Sequence, residues 1–92
     1  MGRYTIEISQ EAQKHLQEIH KFGNQSMVRK IEQFFFELSE HPYTGTGKPE
    51  QMKYIPGVWS RRLNKKDRIR YTVSEELVTV YLLSALGHYN DK

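Results

Sequence analysis

Ninety-two residues with no cysteine predict one small domain spanning residues 1–92. Such a chain buries roughly 60–65% of the surface it exposes when unfolded, enough for one thin core and a surface groove rather than a deep enclosed cofactor pocket. The lack of cysteine excludes a disulfide framework and thiolate metal or redox chemistry, and it suits a reducing cytoplasm.

Residues 3–9 alternate, with Tyr4, Ile6 and Ile8 on one side, and read as a strand. Ser9 can cap a following helix that has Glu11 in its first turn. Ala12, Leu16 and Ile19 form the apolar stripe of that helix, and Gly23 in "FGN" is a natural C′ residue. A second helix is expected from Gln25 or Ser26 to about Glu40, with Val28, Ile31, Phe34, Phe35 and Leu38 on its apolar face. The short link predicts an antiparallel helical hairpin.

Residues 42–57 hold all three prolines and three of the six glycines, so helical periodicity stops there. Two strands follow, "VWSRRL" and "RIRYTVS", joined by the turn "NKKD". A second turn at "SEE" leads into "LVTVYLLSAL", whose nearly continuous apolar run predicts a central strand covered on both faces. The expected order is β-α-α-β-β-β, an α+β domain with an antiparallel sheet and the helical hairpin on one face. No signal peptide or membrane-spanning segment is read from the chain, and no membrane partner is expected.

The formal net charge of +3 hides an uneven distribution. Between positions 44 and 71, eight basic residues stand against Glu50 and Asp67, a net +6, and the rest of the chain sums to −3. A basic stripe on an otherwise acidic chain points to a polyanion. Alternation adds direction. Ile69, Tyr71 and Val73 share one side of their strand, so Arg68 and Arg70 point to the other. Trp59 and Leu63 share a parity that sends Ser60 and Arg62 to the same open face, beside Arg68. Adjacent arginines repel; an anion between them would relieve the cost, whereas the alternative use is protection of a strand edge.

The stretch "GTGKPEQMK" (45–53) is not a nucleotide P-loop. Pro42 stands where that motif needs its first glycine, and Pro49 stands where it needs Ser or Thr after the lysine. Gly45 and Gly47 let this loop bend, Pro49 stiffens it, and Glu50 sits between Lys48 and Lys53. His15 and His20 are five apart rather than four, so they form no helical metal pair, and no metal or cofactor is expected. A carboxylate, flanking lysines, open-face arginines and the terminal His88-Tyr89 pair are the groups that metal-free RNA cleavage uses. It needs a base for the 2′-hydroxyl, cations for the phosphorane, an acid for the leaving oxygen and an aromatic to stack on a base.

"GTGKPEQMK", "GVWSRRL", "DRIRY" and the terminal "HY", in that order, resemble the YoeB/Txe branch of the RelE/ParE toxin superfamily. The match covers most of the chain from Glu37 onward, and the first strand and helices agree in pattern more than in residue. The resemblance implies a microbial-ribonuclease-like fold and a toxin that enters the ribosomal A site, cuts messenger RNA there and is silenced by a cognate antitoxin. It puts the general base on Glu50, the acid on His88, phosphate-binding cations on Lys53, Arg62 and Arg68 with Lys48 nearby, and the terminal tyrosine on Tyr89. A homodimer and a toxin–antitoxin hetero-oligomer both fit it. The alternative is a non-cleaving binder on the same fold, a gyrase poison or a translation blocker. The chain departs from the family pattern in its polar "GRYT" start and in Asn90, Asp91 and Lys92 after Tyr89.

Overall fold

A computed structural model describes residues 3–86. Strand β1 (Thr5–Ile8) is followed by helices α1 (Gln10–Phe22) and α2 (Gln25–Glu40), then by strands β2 (Glu50–Gln51), β3 (Trp59–Arg62), β4 (Arg68–Ser74) and β5 (Thr79–Ser84). The five strands form one sheet in the order β1-β5-β4-β3-β2. The α+β class and the β-α-α-β-β-β order therefore stand, but the sheet is not the antiparallel one expected, and one short strand is added. The sheet is mixed, because β1 pairs parallel to β5, with Thr5 opposite Thr79 and Ile8 opposite Leu82. The loop after α2 contributes the two-residue strand β2, paired antiparallel to β3. A parallel neighbour needs a long crossover, and the helical hairpin and the other three strands together form that connection.

Local chemistry sets the helix ends. The Ser9 side chain accepts from the Ala12 amide at 3.0 Å, and the Asn24 side chain accepts from the Met27 amide at 2.9 Å, so each helix has an N-cap. Gly23 does not end α1 in a left-handed conformation, as a C′ glycine would; its φ is −79°. Crowding explains the glycine instead, since a Cβ there would lie 2.6 Å from the Ile19 carbonyl oxygen. The helices pack on the sheet through Ala12, Ile19, Ile31, Phe34 and Leu38 against Ile69, Tyr71, Val80 and Leu82, all buried. The central place of β5, between β1 and β4, matches its apolar sequence. Its second face is only partly covered, because Tyr81 and Leu83 stay half-exposed, and Leu77 falls in the preceding turn and is exposed.

Glu75, in the turn between β4 and β5, joins three parts of the chain. Tyr4 donates to its carboxylate at 2.8 Å, and Tyr43, from the loop after α2, makes a short hydrogen bond to it. Burial and the neighbouring Glu75 carboxylate push the Tyr43 phenol up to about 12. The Tyr43 ring also packs on Trp59, with centroids 5.0 Å apart. The start of the site-bearing loop is thereby held to β3 and to the far turn.

Candidate functional site on the open face of the sheet

Directly opposed residues in an antiparallel ladder point to the same face. Glu50 is opposite Ser60, Ser60 is opposite Arg70, and Arg62 is opposite Arg68. Register alone therefore places Glu50, Ser60, Arg62, Arg68 and Arg70 on one face, away from the helices. The side-chain geometry agrees. Arg68 Nη1 lies 3.8 Å from Glu50 Oε2, and Arg70 Nε donates to Ser84 Oγ at 2.9 Å. Arg62 and Arg68 stand side by side, as expected. The outer edge of β3 is already covered there, since the Arg62 amide donates to the Gly47 carbonyl at 2.7 Å. Edge protection therefore gives Arg62 little to do.

An open groove of about 870 Å³ runs along this face. Glu50, Lys53 and Arg68 line it, joined by Met52, Tyr54, Ser60, Lys65 and Lys66. Lys48 and Arg62 do not line it. Lys48 stands exposed just before β2 in a left-handed conformation, φ 54°. Arg62 reaches the site only as the cross-strand neighbour of Arg68. His88 and Tyr89, and the Asn90–Lys92 extension, lie outside the described residues. Lys65 and Lys66, in the β3–β4 turn, bring two cations to the groove that alternation along the strands could not locate.

One member of the basic stripe is not at the surface. Arg61 is fully buried, and its Nη1 donates to Glu37 Oε1 at 2.6 Å. Its other donors reach the Thr44 carbonyl at 2.9 Å, the His41 and Thr46 carbonyls at 3.3 Å each, and the Tyr71 hydroxyl at 3.2 Å. Tyr71 passes the chain on by donating to the Pro42 carbonyl at 2.7 Å. Glu37 is equally occupied, accepting from the Thr46 amide and hydroxyl at 2.8 Å each and from Gln33 at 2.7 Å. Burial pushes its carboxyl up, but the hydrogen bonds from Gln33, Thr46 and Arg61 outweigh that and hold it at about 2.

This network fixes residues 41–46, the approach to Glu50. It also gives the glycines a second purpose. Gly45 and Gly47 have φ of +126° and +83°, where side chains are strained. In addition, a Cβ on Gly45 would collide with the Glu37 carboxylate, and one on Gly47 would lie 2.8 Å from the Phe34 ring. The loop bends where it does because it lies directly on the buried pair. The signal for Arg61 was in the sequence, since it stands between Trp59 and Leu63 in the parity that faces the helices.

The end of β5 is held by a group with no assigned role. His15 Nδ1, on α1, accepts from the Ala85 amide at 3.1 Å and the Leu86 amide at 3.2 Å. That requires the proton on Nε2, which faces Glu11 at 3.8 Å.

Residues 9–89 match the family model described as YoeB-like toxin of bacterial type II toxin-antitoxin system. A Synechocystis protein named Toxin YoeB is 30% identical over 68 residues, covering 73% of this chain and 77% of that protein. The structure of a YoeB/ParE toxin from Agrobacterium tumefaciens superposes with a TM-score of 0.84 at 26% identity, over 92% of this chain and 99% of that one. A YoeB–YefM complex from Staphylococcus aureus matches with a TM-score of 0.78 at 30% identity, over 95% of this chain and 99% of that one. The open-face groove and its approach loop are thus carried by a chain that belongs to the YoeB-like toxin family of bacterial type II toxin–antitoxin systems.

Proposed function

We propose that this toxin is a metal-independent endoribonuclease that cuts messenger RNA in the A site of the 70S ribosome. The Glu50 carboxylate takes the proton from a ribose 2′-hydroxyl, and the freed oxygen attacks the adjacent phosphorus. Arg68, Lys53 and Arg62 stabilise the charge that builds on the phosphorane oxygens. His88 protonates the departing 5′-oxygen, and Tyr89 stacks on a base. The P–O5′ bond breaks, leaving a 2′,3′-cyclic phosphate upstream and a 5′-hydroxyl downstream. Lys48 supplies a further cation at the margin.

The observation that carries this reading is the Glu50–Arg68 pair at 3.8 Å, a carboxylate beside a guanidinium at the wall of a basic surface groove. A purely electrostatic RNA binder has no use for a carboxylate there. The groove is shallow and open, and its base is exposed. Such a site leaves much of the alignment of the reacting atoms to the substrate complex, so cleavage should be poor on free RNA and efficient on a programmed ribosome. The proposed target is the ribosome with its message; the family match supports a cognate antitoxin as inhibitor, either with a toxin homodimer or within a hetero-oligomer. The test is to incubate the purified protein with a programmed ribosome and map the new 5′ ends. A 5′-hydroxyl within the A-site codon is expected. A 5′-phosphate would mean attack by water and would overturn the scheme. An intact message with blocked translation would favour a non-cleaving binder.

A further inference from the structure

Tyr54 is 85% exposed, the most exposed of the large apolar side chains among the described residues, yet it is not on a loose loop. The β2–β3 connection is closed by the Met52 amide donating to the Val58 carbonyl at 2.8 Å. Within it, residues 55–58 form a tight turn, the Val58 amide donating to the Ile55 carbonyl at 3.2 Å. Pro56 occupies the second position, and Gly57 the third with φ +81°, the composition of a type II turn. Tyr54 therefore sits one residue before a stiff corner. Among the described residues it makes no hydrogen bond, ring contact or cation contact. Tyr54 lines the groove that holds Glu50 and Arg68, with Lys53 beside it and Lys65 and Lys66 also on the lining. An unpartnered aromatic among cations in an open groove is the arrangement by which proteins hold single-stranded nucleic acid: the cations follow the backbone and the ring takes a base.

We propose that Tyr54 is a nucleotide-binding residue, a second stacking platform that holds an unpaired base of the message beside the scissile phosphate. The proposal deepens the ribonuclease reading and rests on it for the identity of the RNA. A stacked base needs the ring and not the phenolic oxygen, and its contribution is independent of ionic strength, unlike that of the neighbouring lysines.

The experiment uses ribosomes programmed with a message that carries 2-aminopurine at successive positions of the A-site codon, each ribose 2′-O-methylated so that it cannot be cut. Protein binding should quench the fluorophore at one of these positions. Tyr54→Ala should abolish that quenching and weaken binding by about fivefold or more, equally at low and high salt. Tyr54→Phe should behave like the parent. Lys66→Ala should weaken binding mainly at low salt. All variants should keep the parent melting temperature, because the ring is exposed. Unchanged quenching and binding in Tyr54→Ala would overturn the proposal. So would lost binding with unchanged quenching, since the ring would then touch something other than that base. Cleavage of a normal message by Glu50→Gln is scored separately. Full activity there would remove the catalytic scheme and leave the stacking result standing.

Discussion

Arg61 and Glu37 form an ion pair at 2.6 Å inside the protein, and between them they bind the backbone of residues 41–46 that leads to Glu50. Every guanidinium and carboxylate atom involved has a partner, the condition under which a buried charge is tolerable. Removing one member leaves the other charged and desolvated. Arg61→Met and Glu37→Gln should each destabilise the fold, Arg61→Met by about 3–5 kcal/mol. Urea denaturation measures this. Arg61→Met within 1 kcal/mol of the parent would mean the pair contributes only geometry.

Acid should weaken the protein through the same carboxylate. The folded Glu37 carboxyl is held at about 2, below its unfolded value of 4.5. A depressed folded pKa contributes stability that is fully present above the unfolded value and is lost as the pH falls through 4.5 toward 2. The contribution at neutral pH is on the order of 3 kcal/mol. Denaturation midpoints between pH 6 and pH 3 should therefore fall in the parent, and Glu37→Gln, though weaker at neutral pH, should show a flatter acid limb. Parallel curves for the two proteins would assign the acid sensitivity to other groups.

The exposed pair of the groove should behave in the opposite way. The Glu50 side chain is 65% exposed, and its contact with Arg68 is loose, so the pair adds little to stability. Glu50→Gln should leave the melting temperature unchanged and reduce ribosome-dependent cleavage by about two orders of magnitude or more, the scale of a lost general base. Arg68→Lys should impair cleavage more than Lys66→Ala, because the guanidinium fork matches a phosphate and an ammonium group does not. Equal losses in Arg68→Lys and Lys66→Ala would remove the special role given to Arg68.

The contrast between these two pairs marks what the sequence could reveal. Strand alternation was enough to send Arg62, Arg68 and Arg70 to the open face, because a period of two needs no tertiary information. The same alternation puts Arg61 inward, but a charged residue is expected outside, and composition counted it with the polyanion stripe. Its partner Glu37 is 24 residues away on a helix, and nothing local announces the pair. The parallel pairing of β1 with β5 was hidden for a similar reason, since register between chain ends depends on the whole crossover. Nothing in the local sequence marks Tyr54, because its place depends on the turn at Pro56-Gly57 and on the groove that β2, β3 and β4 build beside it.

His15 offers the last test. Its Nδ1 is the acceptor for two consecutive amides, Ala85 and Leu86, where β5 ends. Ala85 is fully buried, so its N–H has no water to turn to. His15→Ala should cost about 1–3 kcal/mol, the penalty for leaving buried donors unsatisfied. The Ala85 and Leu86 amides should then exchange with solvent faster, while amides in the middle of β4 change only with global stability. Those two residues directly precede the segment that carries His88 and Tyr89, so cleavage should fall as well. His15→Gln retains a side-chain acceptor on α1 and should recover part of both losses. Amide exchange measured by nuclear magnetic resonance, beside cleavage on programmed ribosomes, reads the two effects together. Unchanged protection of Ala85 and Leu86 in His15→Ala would show that the imidazole does not hold the end of β5.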